Sequence, residues 1–234
     1  MNKIILILTL LITAVSYSQN VIYDSTKVYH YEALFIDATG DTLTKEKITV
    51  KSSGLPWVFQ KTQKEYSVNY SPIDSMLINM PDPRNKKKKY KSVGRSRKVS
   101  TGVLENKKEV WAHPIRSNQY VYTELAPFPN VLLDSLCVGK TWGEDSYLKI
   151  MFGWGKFKGV VKSKYLVEKK ISYLVGDELL EGCWQIYGVG THSKLGENSI
   201  RYIFSKKYGF VEMKYNFYNG VKIDFKMIEV EKTK

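Results

Sequence analysis

Val110-Trp111-Ala112-His113-Pro114-Ile115-Arg116 and Glu124-Leu125-Ala126-Pro127-Phe128-Pro129 form the densest group of residues able to do chemistry. An imidazole, a guanidinium and a carboxylate held around one ligand can bind an anion or move a proton. Pro114 pushes His113 to extended backbone, so Trp111 and His113 fall on one face of a strand. A bend after Arg116 lets it meet Glu124 as an ion pair. Trp111, His113, Arg116 and Glu124 are therefore the candidate binding residues. The same residues suit a structural corner, with Trp111 in the core, His113 bonded to backbone and the prolines setting a loop.

Other reactive types are sparse. His30, His113 and His192 follow no metal-ligand spacing, so no metal and no cofactor is expected. The chain has no G-x-S-x-G, H-E-x-x-H or P-loop motif. No catalytic residue is assigned. Glu144 and Asp145 adjoin Gly143 and read as solvated acids of a turn. Cys137 and Cys183 sit in apolar contexts. They either pair as a disulfide, if the chain is exported, or remain buried free thiols.

Arg84, Lys86, Lys87, Lys88, Lys89, Lys91, Arg95, Arg97 and Lys98 crowd one short stretch with no acid among them. Charges this dense repel one another and belong on an exposed loop or a solvated strand edge. They offer contacts to an anionic lipid head group or glycan, with peripheral membrane contact as one form of this. Tyr90 is the single aromatic inside the stretch, where single-stranded nucleic acid needs a stacking platform. Nucleic acid is therefore not the expected partner. The 234 residues hold 36 Lys plus Arg and 23 Asp plus Glu, a net charge of +13. Without the nine strip charges and Lys3 the balance is only +3.

The elements that position these groups are strands. Val28–Ile36 puts Tyr29, Tyr31, Ala33 and Phe35 on one face and His30, Glu32 and Leu34 on the other. Val211, Met213, Tyr215 and Phe217 alternate with polar residues, as do Val221, Ile223, Phe225 and Met227. Asn219-Gly220 between them predicts a two-residue hairpin turn with both residues at positive φ. Gly176-Asp177, Gly196-Glu197-Asn198 and Lys206–Gly209 read as further turns. Trp57–Phe59 reads as strand, and Ser71–Met80 as holding a short helical turn. No segment keeps a 3.6-residue apolar stripe. The spacing predicts an all-β fold, a curved antiparallel sheet or open (half) barrel with little helix.

Met1-Asn2-Lys3, the apolar run Ile4–Val15 and Ser16-Tyr17-Ser18 have the layout of a signal peptide. The expected organisation is a signal peptide (1–18), N-terminal strands (19–83), a basic loop (84–99) and a main β domain (100–234). The alternative organisation joins 100–234 with 19–83 as one domain. The mature chain is expected outside the cytoplasm: periplasmic, outer-membrane-associated or secreted.

Glu109–Arg116, Glu124–Pro129 and Gly139-Lys140-Thr141-Trp142 together resemble an uncharacterised family of exported bacterial envelope proteins. Glu181-Gly182-Cys183-Trp184 and the pair Tyr202–Ser205 and Tyr208–Val211 are similar to strand-pair motifs of bacterial β families of unknown function. The resemblance covers roughly residues 100–230. It implies a half-barrel curled around a hydrophobic interior, as in lipoprotein-carrier folds. It implies no reaction and no catalytic residues. The expected function is an exported, non-enzymatic envelope protein that binds a lipid, glycan or protein partner. The alternatives are a secreted hydrolase centred on His113, Arg116 and Glu124, and a structural subunit of an envelope or secretion assembly.

Overall fold

The computed structural model describes residues 21–71, 81–82, 85–89, 95–148 and 159–233. The signal-peptide residues and the helical turn expected within 71–80 lie outside this range, apart from Ser71. In chain order the strands are β1 (Lys27–Ile36), β2 (Thr42–Trp57), β3 (Gln60–Tyr70), β4 (Pro81–Asp82), β5 (Asn85–Lys89), β6 (Lys98–Glu105) and β7 (Glu109–Ala112). They continue as β8 (Asn130–Leu132), β9 (Thr141–Leu148), β10 (Gly159–Val175), β11 (Glu178–His192), β12 (Gly196–Ser205), β13 (Gly209–Asn216) and β14 (Lys222–Lys232). Two short 3-10 segments, Asn118–Leu125 and Leu133–Ser135, are the helical content of the described residues.

Twelve strands make one antiparallel sheet in the order β8-β7-β6-β3-β2-β1-β14-β13-β12-β11-β10-β9, which does not close on itself. The first and last strands of the chain meet at its centre. Tyr31 pairs with Met227 and Phe35 with Ile223, and Thr233 N–H donates to the Thr26 carbonyl at 2.7 Å. The other neighbours in the sheet are consecutive strands of the chain, apart from β3 and β6, and residues 113–129 link β7 to β8. The two free edges come within side-chain reach: Asn130 Nδ2 of β8 lies 3.5 Å from Glu144 Oε2 of β9. The expected open barrel is thus what forms. β4 and β5 pair only with each other, outside this sheet.

Period-two alternation decides the faces. Tyr29, Tyr31, Ala33 and Phe35 are buried, while Glu32 and Leu34 on the other face are partly exposed. Met213, Tyr215, Ile223 and Phe225 are buried in the same way. Residues 113–131 run across the concave face and fill it. Tyr120 stacks on Tyr70 and meets Phe225, and Tyr122 meets Phe35 and Phe217. Tyr165 Oη lies 2.9 Å from the Phe128 carbonyl, and Tyr202 Oη bonds the Asn130 carbonyl. This strap joins strands from both halves of the sheet into one apolar cluster. Its polar residues Gln119 and Thr123 are fully buried.

Three local expectations are corrected. The Asn219-Gly220 turn has three loop residues, not two. Phe217 N–H donates to the Val221 carbonyl at 3.0 Å, and Gly220 N–H to the Phe217 carbonyl at 2.9 Å. Only Gly220 has a positive φ, of 83°. Asn219 instead accepts the Val221 N–H on its side chain, which removes the need for a left-handed backbone. Gly196-Glu197-Asn198 opens β12, and the turn sits one step earlier, at 193–195, closed by Leu195 N–H on the His192 carbonyl. Trp57–Phe59 ends its strand: Trp57 pairs with Gln60, so Val58 and Phe59 form the turn.

Candidate functional site

The extended backbone ahead of Pro114 places His113 beside Gly102, whose carbonyl accepts its N–H at 3.1 Å. The imidazole then sits in an aromatic box. Ring centroids lie 4.6 Å from Trp111, 5.1 Å from Trp57 and 5.7 Å from Phe128. Both ring nitrogens are buried without a hydrogen-bond partner. Burial, aided by the Arg116 cation, pushes His113 down to about 3. The ring is therefore neutral at physiological pH. A general base works best with a pKa near the working pH and within hydrogen-bond reach of its partner. His113 has neither property here. Arg116 and Glu124 do meet, at 3.6 Å, with side chains only 19% and 11% exposed. Sequence reasoning found this neighbourhood but not Trp57, which arrives from a strand more than fifty residues earlier. No group of three or more His, Cys, Asp or Glu among the described residues has metal-binding geometry.

The basic stretch divides into parts with different fates. Asn85–Lys89 is a strand paired with Pro81–Asp82, so Lys86, Lys87, Lys88 and Lys89 ride on a ribbon apart from the main sheet. Arg97 and Lys98 are exposed. Arg84 and Lys91 lie outside the described residues. Arg95 contradicts its expected role as a surface contact. Its Nη2 lies 2.7 Å and 2.6 Å from the two Glu46 oxygens, and the side chains are 6% and 1% exposed. Its Nη1 donates to the Ser71 carbonyl, and the guanidinium lies 5.5 Å from the Tyr70 ring centre. Gln119 Nε2 donates to Glu46 at 3.1 Å and to Thr44 at 3.3 Å. Burial pushes the Glu46 carboxyl up, against the opposing pull of Arg95. Next in sequence, Ser96 exchanges two hydrogen bonds with the Asn118 side chain, at 3.0 Å and 2.9 Å. The root of the ribbon is thus clamped to the strap and to β2. A charged group cannot stay in a dry core without a counter-charge, and Glu46 supplies one that no local pattern announces.

Cys137 and Cys183 are free, the first exposed and the second buried. The disulfide weighed from sequence does not form, and only one thiol is interior. Cys183 lies on the inner face of β11, while Cys137 follows a surface 3-10 segment. Glu144 is not a solvated turn acid. It stands in β9 and lies 2.7 Å from Tyr165 Oη. Beside it, Thr141, Gly143, Lys164, Leu166, Tyr187 and Val189 border an open groove of about 460 Å³ on β9–β11. Gly143 faces Lys164 across the pair, and a Cβ there would lie 2.9 Å from the Ser163 carbonyl oxygen.

No protein-family model and no curated protein matches the chain. Among solved structures, a protein of YmcC-like fold from Bacteroides fragilis NCTC 9343 is similar at 6% identity, over 89% of this chain and 97% of that one, with a TM-score of 0.49. The hypothetical lipoprotein YmcC from Escherichia coli is similar at 8% identity over 97% of both chains, with a TM-score of 0.36. A beta-barrel-like protein of a domain of unknown function from Brucella abortus is similar at 10% identity, over 92% of this chain and all of that one, with a TM-score of 0.42. These neighbours are of the kind the sequence resemblance implies, uncharacterised bacterial β proteins. At such identities and scores they assign no residue of this chain a role.

Proposed function

We propose that this is an exported, non-enzymatic protein of the cell envelope that contacts an anionic lipid or glycan through its basic ribbon. The observation that carries the reading is the ribbon itself. Four consecutive lysines lie on a two-stranded element that belongs to no other sheet, above a root held by Arg95–Glu46 and Ser96–Asn118. Such an element carries four positive charges on five consecutive residues. The contacts are Arg84, Lys86, Lys87, Lys88, Lys89, Lys91, Arg97 and Lys98; Arg95 is the anchor. The signal-peptide layout of residues 1–18 supports the location outside the cytoplasm. The filled concave face and the neutral, unpartnered His113 favour a scaffold with a surface contact over a hydrolase.

The test replaces Lys86, Lys87, Lys88 and Lys89 with Gln. Binding to lipopolysaccharide, and to phosphatidylcholine vesicles with and without phosphatidylglycerol, is then measured at low and high salt. Each lysine near an anionic surface contributes about 1 kcal/mol, so affinity at low salt should fall on the order of a hundredfold or more. Binding to the anionic probes should also weaken as salt rises. Unchanged, salt-insensitive binding of the variant would refute the reading.

A further inference from the structure

The β2–β3 turn is built from Val58 and Phe59, although exposed turns are ordinarily made of Gly, Asn, Asp, Ser or Pro. Val58 is 76% exposed and Phe59 79%, with Leu55 nearby at 63%. The tip is supported from below. Trp57 is buried and packs on Phe59 at 5.4 Å and on His113 at 5.1 Å between ring centroids. Strands alternate in direction, so the β10–β11 turn lies at the same end of the sheet. There Leu174 and Leu179 pair across the hairpin and are also exposed. Lys61 near the start of β3, and Lys107, Lys108 and Lys206 on connections, are exposed at this end. Several acids of this end are already engaged: Asp24 with Lys27, Glu105 with Lys64, and Glu178 with Lys207.

The chain also enters the sheet here. Val21 is exposed, and the Glu105 carboxylate accepts the N–H groups of Ile22 and Tyr23 beside it. In sequence the apolar run Ile4–Val15 lies only a few residues upstream.

We propose that this end docks on a lipid bilayer, with Leu55, Val58 and Phe59 entering the interface and the surrounding lysines facing anionic head groups. An aromatic and two aliphatic side chains exposed at one turn, with lysines at the same end of the sheet, match the polarity gradient of the bilayer–water boundary. Val58 and Phe59 stay largely in water in the free protein, and a cluster of exposed apolar side chains marks an interaction site. The site is distinct from the basic ribbon. That ribbon's root is at the other end of β3, where Tyr70 N–H donates to the Arg97 carbonyl at 2.8 Å. Eleven residues of β3 separate the two by roughly 33 Å. The inference therefore stands whether or not the ribbon reading does.

The test uses the full chain as purified after export. A Leu55→Ser/Val58→Ser/Phe59→Ser variant is compared with the parent and with the ribbon variant in co-flotation with vesicles of phosphatidylcholine and phosphatidylglycerol. Thermal unfolding confirms that each is folded. The apolar tip should lower vesicle partitioning on the order of a hundredfold when removed, and the loss should persist at high salt. The ribbon variant should keep its high-salt partitioning. A Phe59→Trp chain should retain binding, with its emission shifting to the blue on vesicle addition. Equal partitioning of the tip variant and parent would overturn the proposal. So would vesicle binding with no blue shift, or a soluble protein partner that needs Leu55, Val58 and Phe59 while vesicles do not bind.

Discussion

Arg95→Met separates a structural arginine from a surface contact. Arg95 and Glu46 meet at 2.6 Å with side chains 6% and 1% exposed. Removing one member of such a pair leaves the other charge buried and costs about 3–5 kcal/mol. For a chain of this length that is about 10 °C in Tm. The deficit should depend on pH, with a sign set by Glu46. Burial already pushes its folded pKa above the ordinary carboxylate value, and losing the guanidinium pushes it further. A folded pKa above the unfolded one means stability is lost as pH rises through the folded value. Arg95→Met should therefore be closer to the parent at pH 5 than at pH 8. Glu46→Leu combined with Arg95→Met should recover much of the loss, because neither charge then remains unpaired. Urea unfolding of the three chains at the two pH values measures all of this. A deficit below about 0.5 kcal/mol, unchanged by pH, is what an exposed arginine gives. That result would refute the assignment of Arg95 as an anchor.

Two further outcomes follow from the interior. His113 has a folded pKa of about 3 against an ordinary 6.5, so its stabilising contribution is complete above pH 6.5 and is lost as pH falls towards 3. The loss arises because the unfolded imidazole takes up a proton that the buried one does not, and it is on the order of a few kcal/mol. His113→Phe should be at least as stable at pH 7, since no hydrogen bond is lost, and should lack this part of the acid sensitivity. A folded-state His113 titration near 6.5 by NMR would contradict the aromatic box. For the cysteines, Ellman's reagent should label Cys137 in the native protein and reach Cys183 only on unfolding. An intact mass two hydrogen atoms lighter, from a disulfide, would contradict the free thiols.

Much of the fold was legible because alternation is a local property. Tyr29, Tyr31, Ala33 and Phe35 show which face is buried in ten residues of sequence, and the partner strand only has to match. The C-terminal hairpin was equally plain, although its loop length was not. Asn219 can take a left-handed backbone or bond with its side chain, and the choice depends on how Phe217 and Val221 pack. Gly196 reads the same at a turn as at the first residue of a strand. Of the candidate site, the Trp111–His113 contact was readable from the proline that follows. The burial of the imidazole was not, because Trp57 and Phe128 come from other parts of the chain.

The sequence by itself determined that the chain is all-β, with alternating faces on its strands, and that a run of nine positive charges cannot as a whole be core. Each follows from neighbours in the chain: period-two alternation, turn residues and like-charge repulsion. Tertiary structure alone decided that β1 meets β14, that residues 113–131 fill the concave face, and that Arg95 leaves the basic run to pair with Glu46. It also decided that Val58 and Phe59 stand at an exposed tip. These depend on contacts between residues tens to hundreds of positions apart. There, burial and counter-charge are supplied by partners that the local pattern does not name.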